Sequence, residues 1–100
     1  MMELIQFRMR EIFHITGRGW AVAGEVEAGI LRPGDYISVG EERMQIASVE
    51  AILKLDDDGR PLPWVGLMLG PCDDAQVRRL RDAAKTGEVL TITAEPPVTP

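Results

Sequence analysis

Histidine and cysteine are almost missing from this chain, which holds one of each, His14 and Cys72, in 100 residues. A lone cysteine excludes an intramolecular disulfide. A lone histidine, with no cysteine or serine at a telling distance, offers neither a metal-ligand set nor a nucleophilic pair; either would have to be assembled from unrelated segments. His14 reads as a surface residue. Cys72 reads as an inert thiol, because Asp73 and Asp74 oppose the pKa-lowering effect of the helix start it precedes. Positive charge is also short: 11 Lys and Arg against 16 Asp and Glu leave a net charge of -5, so nothing favours tight binding to a polyanion. No apolar run reaches the roughly 18 residues of a membrane span, and no signal-peptide layout is present, so the expected compartment is the cytoplasm. The phosphate-cradling pattern Gly-x-x-x-x-Gly-Lys-[Ser/Thr] is absent, and Gly17-Arg18-Gly19 is followed by its next glycine at the wrong spacing for a dinucleotide fingerprint and lacks the acid-bearing second strand. No cofactor, no GTP binding and no enzyme activity are therefore expected. The length suits one domain, and the expectation is a free-standing module covering 1–94 with a Pro-rich tail at 95–100.

What is present is alternation punctuated by glycine. From Leu4 to Ile15, Ile5, Phe7, Met9, Phe13 and Ile15 share one face of a strand, and Glu11 and Ile12 fall out of phase, which calls for a bulge or bend. Turns at Thr16-Gly17-Arg18-Gly19 and Leu31-Arg32-Pro33-Gly34 bound a small-residue strand at Trp20–Glu27, and a third short strand follows at Gly34–Gly40. Between Arg43 and Leu55 the apolar phase slips from Met44 and Ile46 to Ala47, Val49, Ala51 and Leu53, again implying a bulge. Asp56-Asp57-Asp58-Gly59 reads as a solvated hairpin tip, since the spaced ligands and distal Glu of a calcium loop are missing. Trp64–Leu69 reads as a strand covered on both faces. Asp73 to Lys85, with acids first, bases last, Val77, Leu80 and Ala83 or Ala84 at helical spacing and Gly87 just beyond, predicts an amphipathic helix of about three turns. Glu88–Thr93 closes the sheet.

One stretch carries a resemblance. Phe13, Ile15, Gly17, Arg18, Gly19, Gly24, Val26, Gly29, Leu31, Gly34 and Asp35 match the pattern of the second domain of elongation factor Tu and related translational GTPases, a β-barrel that receives the aminoacylated 3′ adenosine of transfer RNA. By position, the resemblance implies that Ile15 and Glu50 would contact the adenosine and that Phe13 would lie near the aminoacyl group. Arg10, Arg18 and Arg43 are candidate phosphate contacts. The chain departs from the pattern where Trp64 replaces an asparagine, Ile52 replaces a histidine or aromatic residue, and Arg10 replaces the first of two acids. The polar groups that would hold an amino acid are thus mostly replaced.

Together these readings predict an all-β fold: a closed or nearly closed antiparallel barrel of six or seven strands with one short helix near the C-terminus. Ile5, Phe7, Phe13, Ile15, Val22, Val26, Ile37, Val49, Leu67 and Leu69 are its expected interior. The expected role is a non-catalytic module for protein–protein recognition or self-association. Candidate partner-binding residues are Trp64, Arg78, Arg79 and Arg81, with Trp64 either an exposed anchor or a seal on the barrel. The alternative is an RNA-binding module whose 3′-end pocket is formed by Phe13, Ile15, Arg18 and Glu50.

Overall fold

The computed structural model describes residues 5–52 and 54–94, so Leu4, Leu53 and the tail at 95–100 lie outside it. Seven strands, β1 (Ile5–Ile15), β2 (Gly19–Ala28), β3 (Tyr36–Val39), β4 (Glu42–Gln45), β5 (Ser48–Ala51), β6 (Val65–Gly70) and β7 (Val89–Thr93), form one antiparallel sheet in the order β4-β3-β7-β1-β2-β6-β5. A single helix, α1 (Asp74–Thr86), joins β6 to β7. The fold is all-β with seven strands and one short helix, but the sheet is a curled half-barrel rather than the expected closed or nearly closed barrel. Its rims, β4 and β5, are consecutive in the chain and separated only by Ile46 and Ala47. There the backbone changes rim. Ile46 N–H donates to Asp35 O at 2.8 Å beside β3, and Ala47 N–H donates to Met68 O at 2.7 Å on β6. The phase slip read from the sequence is therefore a strand break: connectivity links the two rims where a ladder would close a barrel.

The expected irregularity in β1 is a register shift. Met9 faces Gly24 and Glu11 faces Ala23, which leaves Arg10 as the extra residue. Because side chains alternate with period two, one extra residue exchanges the faces of everything beyond it. Ile5, Phe7 and Met9 are buried in the core; past the bulge Ile12, Phe13 and Ile15 are all half-buried, but Ile12 packs against that core and Phe13 and Ile15 do not. This corrects the placement of Phe13 and Ile15 in the interior. Val26 and Val49 are likewise half-buried at its margin, whereas Val22, Ile37, Leu67 and Leu69 are buried as expected.

β6 and β7 are separated in the sheet by β1 and β2, so α1 crosses the concave face and packs on β1 and β3. Leu80 and Ala83 enter the same apolar cluster as Phe7, Ile37 and Ile92. The ends of the helix follow from its sequence. Asp73 accepts from Gln76 N–H at 2.8 Å, Gln76 Oε1 accepts from Asp73 N–H at 2.9 Å, and Gly87 ends the helix at φ 65°. Because α1 lies over the concave face, the second face of β6 is covered elsewhere, with Ile52 packed on Gly66.

Candidate functional site

Two surfaces gather the chemistry-bearing side chains. On the convex face, cross-strand rows run Phe13–Ala21–Met68–Ser48 and Glu11–Ala23–Gly66–Glu50 across β1, β2, β6 and β5. Small residues in the middle strand let neighbouring side chains approach closely on this curved face, and the bulge at Arg10 is what turns Phe13 onto it. Arg18, in the β1–β2 turn, donates to Glu50 at 2.5 Å, and Ser48 Oγ donates to the same carboxylate at 3.1 Å. These bonds, Arg18 first, hold the Glu50 carboxyl below its ordinary pKa. Arg18 and Glu50 are thus brought together, whereas Phe13 stands on the same face with β2 and β6 between it and β5, and Ile15 lies at the end of β1 opposite Gly19. The other two candidate phosphate contacts are also engaged within the chain: Arg10 bonds Glu25 at 2.9 Å, and Arg43 lies over the Tyr36 ring and donates to Thr93 at 3.3 Å. Trp64 is half-buried, with Lys54 Nζ 5.5 Å from its ring centroid, and Lys54 in turn bonds Glu11 at 3.2 Å. Trp64 therefore belongs with the convex face.

The helix arginines have other neighbours. Arg79 turns toward the β3–β4 connection, where a Cβ on Gly40 would stand 2.7 Å from its Nη1. Arg78 and Arg81 line a cleft of about 350 Å³ between α1 and the sheet, together with Trp20, Cys72, Asp74, Val77, Asp82 and Lys85. The candidates Trp64, Arg79 and the pair Arg78/Arg81 thus fall at three places rather than on one ridge. Trp20 is the residue that sequence reasoning missed. Its indole makes an edge contact with His14 at 5.0 Å between centroids and lies under the Arg81 guanidinium at 5.9 Å. Only its position directly after a glycine turn hinted at a role.

Chemical reactivity in the cleft is low. Burial, then the neighbouring Asp73 charge, pushes the Cys72 thiol above its usual pKa, so it stays protonated near neutrality. Electrostatics are more distinctive. Arg8 pairs with Glu27, Arg10 with Glu25, Arg18 with Glu50 and Lys54 with Glu11, but no ion pair involves Arg78, Arg79, Arg81 or Lys85 among the described residues. In a chain of net charge -5, uncompensated cations are concentrated on one helix. The Asp56 carboxylate is already used inside its hairpin, accepting from Asp58 and Arg60 N–H at 2.9 Å each. No family model matches this chain, and no solved structure matches it.

Proposed function

We propose that this chain is a non-catalytic, cytoplasmic binding module that recognises another protein through the surface of α1 beside Trp20. The observation that carries the reading is the set of unpaired cations Arg78, Arg81 and Lys85 lining one cleft with a half-buried tryptophan. Aromatic and arginine side chains together are the usual anchors of protein interfaces. The polar groups elsewhere suit recognition better than turnover: Glu50 is held ionised by Arg18, Cys72 is held as a thiol, and the His14 ring is packed on Trp20. The likeness to the second barrel of translational GTPases belongs to the same proposal, supported by Gly17, Gly19, Gly29 and Gly34, all at positive φ in the matching turns. Panning a displayed peptide library on the chain tests it. Selected peptides should shift amide resonances of α1 and of residues beside Trp20, and an Arg78→Glu/Arg81→Glu variant should lose them; a library yielding no binder at this surface would count against recognition there.

A second reading, RNA 3′-end binding on the convex face, is favoured by the placement of Phe13 and Ser48 at opposite ends of one cross-strand row, with Glu50 next to Ser48 on the same face. Titration with transfer RNA, followed by Trp64 fluorescence, should then show a salt-dependent change that Phe13→Ala removes. The internal pairing of Arg10 and Arg18 weighs against it.

A further inference from the structure

We propose, building on the reading of α1 as a recognition surface, that the cleft beside Trp20 binds a short extended acidic segment of a partner protein. Arg81 supplies the central contact. The Arg81 guanidinium carbon stands 5.9 Å from the Trp20 ring centroid, within cation–π reach, and its N–H donors form the fork geometry that matches a carboxylate. Arg81 has no acid partner among the described residues, and neither do Arg78 and Lys85. The lining runs from Asp74 to Lys85, three helical turns or about 16 Å at 1.5 Å per residue, which equals about five residues of extended chain.

Size and charge narrow the occupant further. A cleft of about 350 Å³ lies at the low end of small-ligand sites, so it admits side chains from one strand and not a helix or a two-stranded tip. That disfavours the acidic Asp56–Asp58 hairpin of a second copy. Asp74 and Asp82 also line the cleft and are outnumbered by its three cations. Asp74 offsets Arg78 in the first half of α1, whereas Arg81 and Lys85 outnumber Asp82 in the second, so the segment's carboxylates belong at the C-terminal half of α1. An apolar side chain then rests on Trp20 and Val77.

Fluorescent peptides of about eight residues, alternating Glu and Leu, Gln and Leu, or Lys and Leu, would be titrated into the full chain. Anisotropy and the alkylation rate of Cys72 would be read together. The Glu peptide should bind, slow Cys72 alkylation, and weaken about tenfold between 50 and 300 mM salt. Arg81→Glu should abolish binding, while Arg79→Glu, outside the cleft, should leave it unchanged. Equal binding of the Gln peptide would overturn the acidic assignment and leave peptide recognition standing. Failure of all three peptides, or binding that survives Arg81→Glu, would remove both. Protection of Cys72 by a single-stranded RNA, or a dimer lost on Asp57→Asn/Asp58→Asn, would overturn the assignment in favour of nucleic acid or a second copy.

Discussion

Arg18 and Glu50, separated by 32 residues, bond at 2.5 Å where the β1–β2 turn meets β5. The turn is thereby tied to a sheet rim, and the carboxylate is shared with Ser48. Both partners are substantially exposed, so the pair contributes little to stability and its consequence is titration. A carboxyl whose folded pKa is depressed adds stability above its unfolded pKa and loses it as pH falls through the folded value. The Glu50 carboxyl, followed by NMR, should therefore titrate below an ordinary glutamate and move up in Arg18→Ala. High salt should narrow the difference between the two proteins.

Gly24 faces Met9 across the β1–β2 ladder. A Cβ there would stand 2.0 Å from the Arg8 carbonyl oxygen and 2.8 Å from the Phe7 ring, so neither backbone nor core can yield cheaply. Gly24→Ala should cost about 3 kcal/mol. Gly17→Ala meets open space and suffers only from φ 83°, about 1 kcal/mol. Urea midpoints of the two variants, measured side by side, check the ranking.

The bulge makes an opposite prediction for neighbours in sequence. Past the bulge Ile12 falls on the core face and Ile15 on the other, so Ile12→Thr should cost about 2 kcal/mol and Ile15→Thr less than half of that. Equal losses in denaturant titrations would contradict the observed register.

What could be read from the sequence was local. The cap residues of α1, the glycine turns and the irregularity near Glu11 rest on short-range steric and hydrogen-bonding rules, and each appears within a residue or two of its expected place. The side of the sheet on which Phe13 and Ile15 lie depends on which residue is extra, and alternation alone does not say. The open sheet depends on a change of partners at Ile46–Ala47, which sequence showed only as a slip. The cleft depends on Trp20 meeting Arg81 across the chain, a long-range contact with no local signature. Similarly, the arginine pattern of α1 was legible, yet the helix orientation that sends Arg79 to Gly40 and Arg81 to Trp20 was not.

Asp73 carries two functions that one pair of substitutions separates. It caps α1 through Gln76 N–H, and its charge raises the pKa of the adjacent Cys72 thiol in addition to the larger effect of burial. Asp73→Asn keeps a capping side chain and removes the charge, so stability should change little while the Cys72 pKa falls toward, but not to, its ordinary 9.0. Asp73→Ala loses the cap as well and should cost about 1 kcal/mol. A thiol with a raised pKa stabilises the fold below its unfolded pKa, and that contribution is lost as pH rises through the folded value. The alkylation rate of Cys72 against pH, together with thermal midpoints at neutral pH, checks both effects. A midpoint in Asp73→Asn as low as in Asp73→Ala, or an unmoved pH profile, would show that charge and cap do not act through these contacts.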